Sequence, residues 1–306
     1  MTIRIANAPV SFGVFEMTTD RPDLPDGAEL ARVIAEAGYA GTELGPPSYF
    51  GEGAALAELL AQYDLALVGS FLPLRFSYRE HRDEDAAILA ATLDQLEAAA
   101  AGGPLPKVLL ADAFREPDRM RYAGVIEEHP ETWLSDARFA TLVDGVHAAA
   151  ERCRDRGFDV ALHYHAGTYV ETPREIARFA EQMDTSLLGL CFDTGHSAFG
   201  GGDPLALLQD YGELVTHVHL KDVDLAKLRA VHETGGGLMR AWESGVFCPL
   251  GTGDARVEEC LQALREQGYD DWIVVEQDRV LAPAEPFAQV VDDARANREW
   301  LAERGL

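Results

Sequence analysis

Cysteine is scarce, basic residues are outnumbered, and long apolar runs are missing. The 306-residue chain has four cysteines, Cys153, Cys191, Cys248 and Cys260, scattered and without a CxxC pair. That argues against a disulfide framework and makes a reduced, cytoplasmic protein the expectation. Lys and Arg total 26 against 52 Asp and Glu, a formal net charge of −26. A surface this acidic repels phosphate backbones and anionic lipid, so neither nucleic acid nor a membrane surface is expected as a partner. Otherwise the charge serves solubility. No apolar stretch reaches membrane-spanning length. The first residues, MTIRIANAPV, enter a strand-like run directly, with nothing resembling a targeting signal.

What is present is a regular alternation. An echo of helix, glycine, aromatic and strand occurs at Gly38-Tyr39, Gly157-Phe158 and Gly268-Tyr269. Successive strand–helix units leave that mark. Eight strands are predicted, near 3–8, 40–44, 65–70, 107–111, 159–165, 188–193, 215–220 and 272–276, with helical patterns between them. Thr172-Pro173-Arg174-Glu175 reads as a capping box, followed by Ile176, Phe179, Ala180 and Met183 on one face. Asp203-Pro204 opens another helix, and Val257, Cys260, Leu261 and Leu264 form a further inner stripe. Apolar residues make up 47% of the chain, enough for a large core. The expectation is an α/β fold: one (β/α)8 TIM barrel over residues 1–306. Two long connections, 112–133 and 221–253, follow strands and are expected over the C-terminal mouth. Loops there cover a site or contribute to an interface, which is compatible with a homo-oligomer.

Four segments end predicted strands in imidazole or carboxylate: HYH at 163–165, FDTGH at 192–196, HVHLKD at 217–222 and VVEQD at 274–278. Side chains alternate along a strand, so His163 and His165 share a side, as do His217 and His219. The later member of each pair lies nearer the mouth. A metal set of His165, Asp193, His219 and Glu276 follows, with His163 and His217 one layer deeper. A carboxylate closing a buried strand is costly unless paired or metal-bound. The sequence leaves one alternative for Asp193 and Glu276, an internal ion pair with a lysine such as Lys221. His196, three residues after Asp193, can reach a substrate hydroxyl. Glu43, Asp112, Asn7 and Ser11 are further polar groups at strand ends, with Glu43 and Lys221 the stronger candidates for substrate contact. Phe12, Phe71 and Trp242 are candidate apolar walls.

These residues resemble the sugar isomerase/epimerase-like barrels related to xylose isomerase. The resemblance implies a metal held by Glu, Asp, His and Glu from the fifth to eighth strands. Asp193, His219 and Glu276 match the last three, and Asp193 with His196 matches the family's Asp-x-x-His. The first ligand departs, because His165 stands where a glutamate is usual. HYHAGTYVET, CFDTGHSAFGGGDP, HVHLKDVD and GVFCPLGTGD resemble the inosose dehydratase-like branch, over nearly the whole chain.

The departure bears on mechanism. Family epimerases pair two metal-bound glutamates across the substrate, and this chain keeps only Glu276. An asymmetric elimination needs one base, one Lewis acid and one proton donor. Glu276 suits the base, and His196 or Lys221 the donor. His163, His196, Glu43 and Lys221 would bind a small polyhydroxylated keto-substrate. Two imidazoles and two carboxylates favour Mn or Co, with Zn or Fe also suited, over Mg or Ca. The leading expectation is a metal-dependent lyase removing water from a keto-cyclitol. The alternatives are a ketose isomerase or epimerase, a 3-keto-sugar or glycoside lyase, a non-catalytic sugar-binding barrel and an apurinic-site endonuclease. The last would require a more basic mouth.

Overall fold

The computed structural model describes residues 3–114, 116–282 and 286–306. Each helix that leads into a strand must turn back within a few residues, and the three glycine echoes do this. Gly38, Gly157 and Gly268 take φ of 91°, 85° and 79° just after helices Gly27–Glu36, Asp136–Asp155 and Val257–Glu266. Glycine adopts that left-handed conformation without a Cβ penalty. The aromatic residue that follows, Tyr39, Phe158 or Tyr269, packs into or against the main core.

Among the described residues, eight parallel strands close a barrel. They are β1 (Arg4–Asn7), β2 (Gly41–Glu43), β3 (Ala66–Leu74), β4 (Lys107–Asp112), β5 (Val160–His163), β6 (Gly189–Asp193), β7 (Val215–Leu220) and, after two short strands, β10 (Trp272–Val275). The order around the barrel is β1-β10-β7-β6-β5-β4-β3-β2. The short strands β8 (Asp222–Val223) and β9 (Phe247–Cys248) pair antiparallel as a separate ribbon. The two predicted helix starts hold, although the helix opened at Thr172 ends at Ala180 and leaves Met183 beyond it. Thr172 and Glu175 form the reciprocal capping box of helix Pro173–Ala180. Asp203 accepts from the Leu205 and Ala206 amides at the start of helix Pro204–Tyr211.

Alternation along the strands places the site. Two small apolar clusters, separate from the main core, hold Val68, Trp272 and Val274, and Leu109, Ala161 and Cys191. Two residues further along the same strands come His163, Asp193 and, just past β10, Glu276. Period-two alternation keeps these on the same side as Ala161, Cys191 and Val274. The apolar layers therefore lie beneath a polar layer at the C-terminal end.

Two strands end at least two residues from the expected position. β5 stops at His163, and His165 lies in a turn where its N–H donates to Val170 O at 3.0 Å. β3 runs on to Leu74 through Pro73, beyond the last residue that β2 pairs, Gly69. A proline is tolerated where a ladder has ended. The long connections carry structure of their own: helix Pro117–Tyr122 in 112–133, and the β8–β9 ribbon with helices Leu225–Glu233 and Leu238–Glu243 in 221–253. Residue 115 of the first connection and residues 1 and 2 of the expected 1–306 span lie outside the described residues. Among the described residues no helix is long and apolar enough to cross a membrane.

Glu171 links the 112–133 connection to the His165 turn. Its carboxylate accepts from Gly124 N at 2.6 Å and Gly167 N at 2.5 Å. Burial pushes its pKa up to about 7, against the pull of Arg119 and these two amides. The folded chain therefore keeps a proton on Glu171 that the unfolded chain loses near 4.5. Stability from this group is full below that value and is lost as pH rises through about 7. Asp112, also buried and pushed up to about 7, acts in the same direction. Thermal stability should fall between pH 5 and 8, by on the order of 3 kcal/mol per group. In Glu171→Gln that fall should be smaller, and an unchanged slope in calorimetric scans would contradict this.

Candidate active site

The segment FDTGH is explained residue by residue. Asp193 ends β6 and splits its two oxygens. Oδ1 accepts from His196 N at 2.7 Å, capping the short helix Thr194–Phe199. Oδ2 faces the barrel axis, 3.2 Å from His163 Nε2, 3.3 Å from Lys221 Nζ and 3.6 Å from His219 Nδ1. The Thr194 hydroxyl donates to Lys221 O at 2.6 Å and accepts from Lys221 N at 2.9 Å. Gly195 leaves room for the Lys221 side chain, since a Cβ there would lie 2.5 Å from Lys221 Cγ. Tyr164, the middle of HYH, brackets Asp193: its hydroxyl donates to Asp193 O at 2.8 Å and accepts from Asp193 N at 2.7 Å.

Strand register supplies the rest. Asp193 on β6 pairs with His219 on β7, and His219 pairs with Val274 on β10. Glu276 follows two residues on. Its Oε2 lies 3.0 Å from His219 Nδ1 and 3.0 Å from Lys221 Nζ. Asp193, His219 and Glu276 thus offer ligand atoms within 4.8 Å of one another. The ring of His219 is oriented from behind. Its Nε2 lies 2.9 Å from Glu43 Oε1, which also lies 2.9 Å from His217 Nε2. With the proton on Nε2, the Nδ1 lone pair is directed at the two carboxylates. Glu43 reaches this place through a register shift between Thr42 and Glu43, and fills the space a Cβ on Gly69 would take.

His165 is not in that set. Its Nδ1 lies 2.8 Å from Ala166 O, and its ligand atoms group with His196 and Asp278. The His165 and His196 rings are 3.5 Å apart between centroids. His163 comes nearer to the three, through its contact with Asp193. His196 is fully buried and lies behind Lys221, with Nε2 3.0 Å from Nζ and 3.5 Å from Asp278 Oδ2. Asp278 completes this second cluster, with Oδ1 2.9 Å from Lys221 Nζ. The sequence reading gave Asp278 no role. Its spacing of two from Glu276 was the available signal.

The ion pair that competes with a metal is present, because Lys221 contacts Asp193, Glu276 and Asp278. It does not balance the charge. Glu43, Asp193 and Glu276 are held ionised against Lys221 and the raised imidazole of His219, while burial pushes the fourth carboxyl, Asp278, up. Burial opposes ionisation of Asp193 and Glu276, yet Lys221 at the first, and His219 with Lys221 at the second, hold them well below the carboxylate range. Burial is outweighed at His219 too, where Cys191, Glu276 and Glu43 raise the imidazole well above its ordinary value. Burial would likewise raise Glu43, but His219 and His217 keep it near 2. By contrast, burial and the cationic neighbourhood depress His165 and His196, leaving them neutral. Buried negative charge in excess calls for a further cation. His219 Nδ1, which has no well-directed hydrogen bond among the described residues, fits one. The donor set fits a divalent metal ion.

A cavity of about 340 Å³ opens above this layer, reaching Glu43, His163, His165, Lys221, Glu276 and Asp278. Phe71 and Trp242 line it as expected, together with Phe15, Phe114, Met17 and Met120, which sequence reading missed. Phe12 does not: it is buried and packs against Phe287 at 6.3 Å. Asn7, Ser11 and Asp112 make backbone contacts instead. Asn7 Oδ1 accepts from Ala8 N, Ser11 ties to Val275 O and Gln277 N, and Asp112 accepts from Tyr169 N. Asp222, the last residue of HVHLKD, accepts from Gly251 N, Gly253 N and Ala255 N and so shapes the GTGD turn.

Closed parallel barrel, ligand triad at the carboxyl ends and cavity above it define a metal-site barrel of enzymatic type. The chain belongs to the xylose isomerase-like TIM barrel family, whose profile it matches over residues 31–304. It is 32% identical over 293 residues to an inosose dehydratase of Geobacillus kaustophilus, covering 93% of this chain and 90% of that one. It is 34% identical over 294 residues to the rhizopine catabolism protein MocC of Rhizobium meliloti, covering 94% and 85%. An IolI protein solved with a bound zinc atom shares the fold, with a TM-score of 0.71 at 14% identity over 98% and 97% of the two chains.

Removing the carboxylate behind His219 tests the ligand assignment. A glutamine at 43 keeps a carbonyl oxygen for the two imidazoles but loses the negative charge behind His219 that raises its basicity as a ligand. Glu43→Gln should weaken divalent-metal binding ~10–100-fold while the barrel stays folded. Unchanged affinity in a competition titration would mean that His219 is not a ligand.

Proposed function

We propose that this protein is a metal-dependent dehydratase acting on a keto-cyclitol or related keto-sugar. The observation that carries the proposal is the asymmetry of the site. Of the carboxyl groups that line the cavity, Glu276 is the one in the Asp193, His219 and Glu276 triad, and its Oε2 lies 3.0 Å from Lys221 Nζ. The dehydratase identity of the relative from Geobacillus kaustophilus supports it.

Asp193, His219 and Glu276 would hold the ion, with His163 the nearest further imidazole and His165 on the substrate side. When bound, the ion acts as a Lewis acid on the substrate carbonyl. Mn or Co suits this mixed set of imidazole and carboxylate. Glu276, held ionised at neutral pH, takes the proton from the carbon next to the ketone. Lys221 gives a proton to the departing β-hydroxyl. His196 does not line the cavity, so it acts through Lys221. The Lys221 ammonium, a donor only, donates to His196 Nε2 at 3.0 Å. Glu43 orients His219, and the long connections above the mouth limit water.

The test is a panel of metal-loaded reactions with inososes, ketohexoses and 3-keto glycosides, followed by mass. Loss of one water from an inosose supports the proposal. Unchanged mass with interconversion of ketohexose epimers would replace it with an epimerase.

A further inference from the structure

The cavity changes character between floor and rim. Its floor is ionisable. Its walls are an arc of aromatic rings drawn from two loops, strand β3 and helix Leu238–Glu243. Phe15 meets Trp242 at 5.3 Å between centroids, Trp242 meets Phe114 at 6.5 Å, and Phe114 meets Phe71 at 6.1 Å. The arc joins the floor where Phe114 meets His165 edge-on at 4.6 Å. Met17, which also lines the cavity, is 63% exposed. Among the described residues only Ile88 is a second large apolar side chain in that class.

An unsubstituted keto-cyclitol bears a hydroxyl on every ring carbon except the carbonyl. Its polar partners here lie mainly on the floor; on the wall Glu16 and the unpaired Trp242 Nε1 are the polar side-chain groups among the described residues. A hydroxyl facing Phe15, Phe71 or Phe114 would give up water and gain no hydrogen bond from the ring, which opposes binding. Stacking one face of a sugar ring needs one aromatic wall. Four rings and an exposed methionine above the chemistry offer an apolar compartment that such a substrate leaves empty.

We infer that the substrate ring carries an apolar substituent, about the size of an aromatic ring, seated between Phe15, Phe71, Phe114 and Trp242. The inference rests on the dehydratase reading of the floor and names its substrate class: an aryl-substituted keto-cyclitol or keto-sugar. The chemistry stays redox-neutral. The α C–H proton goes to Glu276, and its electron pair forms the C=C bond conjugated with the ketone. The β C–O bond breaks, and the hydroxyl leaves as water with a proton from Lys221. The substituent is retained.

Binding can be separated from turnover. In Glu276→Gln, calorimetric dissociation constants are compared for an inosose and its phenyl ether. The phenyl ether should bind at least ~10-fold more tightly, the scale of burying one aromatic ring. Phe114→Ala on that background should lower the ratio ~5-fold or more. Met17→Asp, at an exposed position where folding is not at risk, should lower it in the same direction. Equal affinities for the two compounds would overturn the inference, while water loss from plain inosose by wild type would leave the dehydratase reading intact. A tenfold preference with no water loss from either compound in wild type would support the aromatic compartment and overturn the dehydratase reading.

Discussion

Glu276→Gln should lower kcat for water loss from a keto-cyclitol by at least ~100-fold, the usual scale for losing a general base. The substitution keeps the shape of the side chain and removes its basicity. It also removes negative charge beside His219 Nδ1 and Lys221 Nζ, each 3.0 Å from Oε2. Metal affinity should therefore fall, and saturating metal must be present when kcat is measured. Under that condition the remaining deficit reports proton abstraction. Recovery of near wild-type kcat at saturating metal would make Glu276 a ligand only, and another group would have to be the base.

Lys221→Met should have an effect of similar size by a different route. Position 221 holds one of the chain's three lysines, and it is fully buried. Without the ammonium, Asp193, Glu276 and Asp278 lose the one cation that contacts all three. Removing one partner from a buried ion cluster costs about 3–5 kcal/mol. The metal-free variant should unfold at lower denaturant by that amount, and added divalent metal should recover part of the loss through the remaining carboxylates. Turnover should fall ~100-fold or more even with metal bound, because the proton donor is gone. Full stability with lost turnover would limit Lys221 to chemistry. Lost stability with retained turnover would remove it from the mechanism.

The barrel was legible because its signals are local and repeated. Gly38-Tyr39, Gly157-Phe158 and Gly268-Tyr269 each mark a helix end, and strands follow as expected. The β3 extension past Ser70 was hidden by Pro73, which reads as a break unless the neighbouring strand is known to have ended. The four strand-end segments were legible as a site because apolar runs closing in acid or imidazole are costly without a purpose. Their division was not legible. Period-two alternation places His163 and His165 alike only while the strand continues, and β5 stops at His163. The turn that follows carries His165 toward His196 and Asp278.

Glu43 shows a second limit. A strand-end glutamate suggested substrate contact, but its partners His217 and His219 are 174 and 176 residues away. No spacing rule reaches that far. The aromatic arc is the extreme case. Phe15, Phe71, Phe114 and Trp242 come from four separate segments with no shared pattern, and only closure of the barrel brings them together. Sequence conveyed the chemistry of the floor far better than the shape above it.

The most direct measurement of the central claim uses one substrate, one protein and one variable. Exhaustively chelated wild-type protein is incubated with inosose in deuterated water, with and without restored Mn or Co, and the product is followed by mass and proton resonance. The account predicts no reaction in the chelated, still folded protein. With metal restored, it predicts loss of one water together with disappearance of the proton next to the ketone. Undiminished turnover after chelation would contradict the metal-dependent account, as would deuterium entering the substrate with no water lost.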